Sequence, residues 1–420
     1  MSRQIIQTTV LDNGITVVTD SMPSAHSTAL GVWLPRGSRH EGADESGASH
    51  FYEHLVFKGT KNRSAFEIAS SLEDRGGMLE AYTTRQETGF YAQVVPSDAG
   101  LALEVISDML MHPLFDKKDF EKERKVIIEE IRSYEDIAEE CVGDLFYATH
   151  YEGTGLARPI AGTAKTVRAL TIDDLLRYRE QVISEIPLIV CATGKIDHGK
   201  FVEQCLRHFG EKKKGSKNLP TVYKATSAEK YSFKPDLQQS NFVWGTSFPF
   251  ERVDEKFRYA LSLFNVAFGG GMSSRLFQKI REEHGLAYSV YSTIDVFNDN
   301  YGFSVSMATD PNRLAKAAGL MKNEFERFLE SGFVASELER TRHNILGSMA
   351  IGADNTEKRL LRLAEHTLHF GECVTMDEMK KGILNITEQE VVQSLRAAFE
   401  NADFAAAVVA PKGSPKLKFL

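Results

Sequence analysis

The chain repeats itself. An alternating apolar stretch followed by a helical pattern, TGFYAQVVPSDAGLALEVISDML (Thr88 to Leu110), returns as YGFSVSMATDPNRLAKAAGLMKN (Tyr301 to Asn323). Between the two lies a polar stretch, Glu211 to Tyr231, that contains Gly215 and Pro220 and has no apolar periodicity. Such an internal duplication confines the chain to two halves of one design, each burying the same kind of core, joined by a linker. The expected division is 1–212, a linker at 213–230, and 231–420. A chain of 420 residues, 42% of them hydrophobic, is long enough for two cores.

Local patterns give each half both kinds of element. Gly14 to Thr19, Ala29 to Leu34, Thr88 to Val95 and Leu188 to Ala192 read as strands. Ser64 to Arg75 reads as a helix that opens with a capping box, Ser64 and Glu67, and stops at Gly76. The second half repeats this with a hairpin turning at Asn298 to Asn300 and a last strand from Phe404 to Val409. Strands followed by helices point to an α+β architecture.

The chemistry is concentrated in His50, Phe51, Tyr52, Glu53 and His54, which spell H-x-x-E-H. On a helix, two histidines at i and i+4 stand one above the other, with the glutamate beside them. Neutral imidazole nitrogens suit divalent zinc, and one further protein ligand would leave a position open for water. The run from Ser46 to Phe57 supports a helix, since it lacks proline, sets Ala48, Phe51 and Leu55 on a face beside the histidines, and ends in Lys58 and Gly59.

A third ligand is expected between Asp119 and Tyr134. There Glu123, Val126, Ile127, Glu130, Ile131 and Tyr134 form one helical stripe, so two carboxylates stand among apolar side chains. Burying an ionised carboxylate without a partner is costly, and a metal would explain the pair. Glu130 is therefore read as the third ligand, and Glu123, one heptad earlier, as a group that orients a ligand or holds a proton. Salt bridges to basic residues elsewhere would be the plainer reading of both glutamates. Laying Phe57 on Phe268 places His50, Glu53 and His54 on Leu261, Phe264 and Asn265, so the second half is expected to have lost the metal.

These residues carry a resemblance. GASHFYEHLVFKGT (Gly47 to Thr60) and the run around Glu130 resemble the pitrilysin, insulin-degrading enzyme and mitochondrial processing peptidase family, the inverzincin peptidases. The likeness extends through Gly76 and Gly77, Ala81 to Thr84, Glu87 to Val95, and Gly269 to Val290, and is greatest to short bacterial processing-peptidase-like members. The resemblance implies two homologous αβ roll-like halves forming half of a hollow clamshell. It implies a zinc metalloendopeptidase that hydrolyses extended, unstructured peptides in a chamber, with one Zn2+ per chain on His50, His54 and Glu130, and with Glu53 as general base. Ala81, Tyr82 and Thr83 would belong to an edge strand that pairs with substrate, although this chain has Glu80 where relatives commonly have asparagine. Arg281 and Tyr288 match an arginine and a tyrosine that grip substrate near the zinc. In long relatives these belong to a fourth half and the zinc to the first. With two halves only, a homodimer is expected, each subunit completing its partner's site. The competing reading is a catalytically inactive peptide-binding or structural core subunit, whose motifs would be damaged.

Composition bounds the remainder. A formal net charge of −8 without a long basic block argues against nucleic acid as a partner. The apolar run Ile186 to Ala192 is too short to span a bilayer, and the first residues lack the pattern of a signal or transit peptide, so a cytoplasmic protein without a membrane partner is expected. Cys141, Cys191, Cys205 and Cys373 have no C-x-x-C spacing and are expected to be buried apolar fillers. His366 and His369 form a weaker i, i+3 pair, read as structural.

Overall fold

A computed structural model describes residues 5–215, 221–417 and 419. The stretch 216–220 of the expected linker lies outside the described residues. Packing divides the chain into two compact units, and neither is continuous in sequence. The first comprises residues 1–132, 158–221 and 350–375, and the second 133–157, 222–349 and 376–420. Packing therefore groups the chain differently from a single cut near residue 212.

The first unit is built on a six-stranded sheet of β1 (Ile5–Val10), β2 (Thr16–Ser21), β3 (Thr28–Leu34), β4 (Met78–Thr83), β5 (Thr88–Val94) and β6 (Ile189–Gly194), in the order β1-β2-β6-β3-β5-β4. The second has β7 (Glu229–Lys234), β8 (Ser240–Pro249), β9 (Ala287–Val296), β10 (Asn300–Thr309) and β11 (Ala405–Pro411), in the order β7-β11-β8-β10-β9. Strand for strand, the second order repeats β2-β6-β3-β5-β4. Both sheets are antiparallel except for one pair each, β2 with β6 and β7 with β11. The duplication read from the sequence is thus a duplication of topology.

Four helices matter for the site: α1 (Ala48–Val56), α2 (Ala65–Glu73), α3 (Ala99–Met111) and α4 (Lys117–Asp136). The capping box of α2 is present, with Ser64 accepting from the Glu67 amide. After α4 comes α5 (Ala138–His150), which packs on β8 and β11 of the second unit. Conversely, the helix Thr356–Phe370 packs on β2, β3 and β6 of the first unit. Each sheet is thus covered on one face by a helix from the other half of the sequence, with Leu360, Leu363 and Ala364 meeting Val18, Trp33 and Cys191.

The opposite face of the first sheet carries the core that fixes α1. Phe51, Tyr52, Leu55 and Val56 are at most 1% exposed and pack with Phe90, Phe115, Phe120 and Ile127. Each such side chain contributes about 1.5–3 kcal/mol through burial. In the second unit the positions matching the histidine motif serve the core instead. Leu261 and Phe264 are buried, and the Phe264 ring lies 4.7 Å from that of Phe328 and 5.2 Å from that of Phe303.

Two expectations need correcting. The buried stripe of α4 is Phe120, Glu123, Ile127, Ile128 and Ile131, whereas Val126 and Tyr134 are 44% and 46% exposed. The stripe follows Glu123, Ile127 and Ile131, and Ile128 rather than Val126 turns inward beside it. None of the four cysteines is in a disulfide, but only Cys191 and Cys205 are buried, while Cys141 and Cys373 are partly exposed.

Candidate metal centre

The start of α1 is fixed by a glycine and a distant carboxylate. Gly47 precedes the helix at φ +98°, and a Cβ there would meet the Ala161 carbonyl oxygen at 2.7 Å, so only glycine fits. Glu41, 3% exposed, accepts from the Gly47 amide at 2.8 Å and the Ser49 amide at 2.7 Å, taking up orphan donors of the helix terminus. Burial pushes the Glu41 carboxyl up to about 7, against the pull of these bonds. Tyr178 donates to Ser49 at 3.1 Å and ties the same turn to a neighbouring helix.

One turn further on, the two imidazoles meet edge to face, their centroids 4.7 Å apart. His50 Nε2 lies 3.6 Å from Glu130 Oε1, and His54 Nε2 lies 3.5 Å from Glu130 Oε2. These separations are too long for good hydrogen bonds. Each runs to a different Glu130 oxygen, so the carboxylate faces both rings across a gap of the size that separates the ligands of a zinc ion. One donor atom from each of the three residues falls within a common span of 4.8 Å, the one such grouping of three or more potential ligands among the described residues. Burial, with a smaller contribution from His54, pushes His50 down to about 4. Its ring is therefore neutral near pH 7, as a zinc ligand must be. His50 turns its Nε2 toward Glu130, while its buried Nδ1 has no hydrogen-bond partner among the described residues. The two-nitrogen, one-carboxylate donor set fits zinc.

Around these three stand the groups that aim them. Glu123, 3% exposed in its side chain, places Oε2 3.3 Å from His54 Nδ1 and Oε1 3.0 Å from Lys58 Nζ. A carboxylate only accepts, so His54 Nδ1 donates and its Nε2 lone pair is turned toward Glu130. Glu53, between the two histidines in the motif, accepts from the Thr83 hydroxyl at 2.5 Å. Burial pushes the Glu53 carboxyl up and Glu130 adds to this, while Thr83 and His54 pull it down.

Thr83 ends β4, which pairs only with β5 and is an edge of the sheet. Leu79 and Ala81 pack on the core beneath α1. Tyr82 faces the other way, its hydroxyl accepting from Trp33 Nε1 at 2.9 Å, and Glu80 accepts from the Tyr91 hydroxyl at 2.7 Å. In the second unit Arg281 and Tyr288 are brought side by side. The guanidinium stands 4.9 Å from the Tyr288 ring centroid and 4.6 Å from that of Phe277. Tyr288 is 78% exposed, near the start of β9, itself an edge strand.

Comparison with known proteins identifies the family. Residues 16–164 match the family model "Insulinase (Peptidase family M16)", and residues 169–345 match "Peptidase M16 inactive domain". The chain belongs to peptidase family M16. An uncharacterized zinc protease of Streptomyces coelicolor is 36% identical over 92% of the chain and 85% of its own length. One from Bacillus subtilis is 33% identical over 96% and 97%. The crystal structure of a protease from Helicobacter pylori superposes with a TM-score of 0.90 at 21% identity, covering 97% of this chain and all of that one. This M16 member is a zinc-dependent metallopeptidase. No helix among its described residues is long and apolar enough to cross a membrane.

Sequence reasoning missed three supports. Glu41 caps α1 from outside the local capping pattern, because the residue at the cap itself is Gly47. Lys58 marks the end of α1 in the sequence pattern, and nothing local shows that it pairs with Glu123. The Thr83 side chain gave no local signal, since its partner is on another element. His366 and His369 take part in no metal-capable grouping among the described residues.

Proposed function

We propose that the chain is an endopeptidase for extended, unstructured peptides, with His50, His54 and Glu130 holding one zinc ion per chain. The convergence of their three donor atoms beside Glu53 carries this reading. Zinc, when bound, polarises the scissile carbonyl and acidifies water. Glu53 takes the proton of the attacking water and delivers it to the leaving amine. Glu123 holds the His54 ring in its tautomer. The outer edge of β4, at Ala81, Tyr82 and Thr83, offers backbone N–H and C=O groups to an extended peptide, a mode that reads conformation more than sequence.

Arg281 and Tyr288 grip the peptide in this proposal, the tyrosine through its exposed ring and the arginine steadied against it. With two halves per chain, the working form is a homodimer in which each subunit supplies this pair to its partner and the halves enclose a chamber. The cytoplasm is the proposed location, with no nucleic acid or membrane partner. His50, Glu53, His54 and Glu130 are all present, which speaks against an inactive peptide-binding subunit. The test is Glu53→Gln. The variant should keep its zinc and lose about two to four orders of magnitude in turnover, the usual worth of a general base. Full turnover with zinc bound would overturn the assignment.

A further inference from the structure

We infer that Thr83 is a positioning residue for Glu53, through which the substrate-docking strand sets the aim of the base. This rests on the proposed function and deepens it. A glutamate at the surface of a helix has a carboxylate free to turn about its last torsion, and a base that turns spends only part of its time aimed at the attacking water. The Thr83 hydroxyl has one proton and gives it to Glu53 Oε2 at 2.5 Å. Among the described residues Glu53 has no other hydrogen bond from the protein, so its second oxygen is left for water.

The anchor is itself rigid. Thr83 pairs with Thr88 across the hairpin, the Thr84 amide bonds the Glu87 carbonyl at 2.8 Å, and Thr88 Oγ1 bonds the Arg36 carbonyl at 3.1 Å. As a β-branched residue, Thr83 has few side-chain rotamers to lose. Its backbone belongs to the edge strand proposed to pair with substrate, and its hydroxyl belongs to the base. A peptide that docks along β4 is set in register with the strand that holds the carboxylate. Binding remote from the scissile bond is thereby expressed in kcat and not only in KM.

The experiment compares full-length, zinc-loaded Thr83→Val and Thr83→Ser with wild type on an unstructured fluorogenic peptide, with zinc content and thermal unfolding measured in parallel. Valine keeps shape and strand preference but cannot donate, and neither variant alters the backbone pairing groups. Thr83→Val should lose about 10- to 100-fold in kcat, the worth of a hydrogen bond to a charged group, with KM, zinc content and unfolding unchanged. Thr83→Ser should recover most of the loss. Adding Thr83→Val to Glu53→Gln should cost nothing further, which a merely structural role would not predict. An unchanged kcat in Thr83→Val, a loss confined to KM, or an undiminished loss in the Glu53→Gln background would each overturn the inference. If Glu53→Gln itself stays active with zinc bound, the proposed function has failed instead.

Discussion

Removing Glu123 separates what holds the metal from what only surrounds it. Its carboxylate is 3% exposed and touches His54 Nδ1 at 3.3 Å and Lys58 Nζ at 3.0 Å. Glu123→Leu fills the space but leaves His54 without the partner that turns its Nε2 toward the centre. Loss of such an outer partner weakens metal binding by about 10- to 100-fold, roughly 1.4–2.7 kcal/mol. Lys58 is 33% exposed and turns to water, so no buried charge is stranded and the effect stays local. Glu123→Gln retains an oxygen for the imidazole N–H but exchanges a charge-assisted bond for a neutral one about half as strong. Its loss should therefore fall between wild type and leucine. Competition against a chromophoric zinc chelator measures all three, with far-ultraviolet dichroism as the control for folding. Leucine binding zinc as tightly as wild type, or glutamine binding it more weakly than leucine, would refute the reasoning.

A pH effect follows from Glu41. Burial raises its carboxyl from 4.5 to about 7, so between these values the native state holds a proton that the unfolded chain has released. Its stabilisation is complete below pH 4.5 and is lost as pH rises through 7, by about 3 kcal/mol in all. In urea titrations of the zinc-free protein, the advantage of wild type over Glu41→Gln should shrink across that window. A difference that is flat or grows with pH would contradict it. Sharing of the site between subunits predicts complementation. Inactive Arg281→Ala and Glu53→Gln chains, mixed under conditions of subunit exchange, should regain peptide cleavage, and complete failure with exchange demonstrated would count against a site completed in trans.

Much of the centre was legible because its logic is local. Two histidines one turn apart and two carboxylates on one stripe of α4 are visible as periodicity. The repeated strand-helix pattern likewise foretold two sheets of one topology. What escaped was non-local. The amphipathic patterns of α5 and of Thr356–Phe370 show that each helix has a face to bury but not which sheet receives it, so their exchange between halves was hidden. Val126 was placed in the buried stripe because apolar type and spacing both allowed it. Ile128, just off the stripe, lies inward instead, and Val126 flanks Glu130 where the helix is more open. Glu41 reaches α1 across a loop, and neither its type nor its spacing announces a cap.

The central claim is one zinc ion shared by two turns of α1 and one turn of α4. Zinc content and peptide cleavage, measured together on wild type and Glu130→Gln with and without chelator, test it most directly. The account predicts one zinc per wild-type chain, cleavage that chelation abolishes and zinc restores, and loss of both in Glu130→Gln. Stoichiometric zinc with full cleavage in Glu130→Gln, or wild-type cleavage that survives removal of the metal, would contradict it.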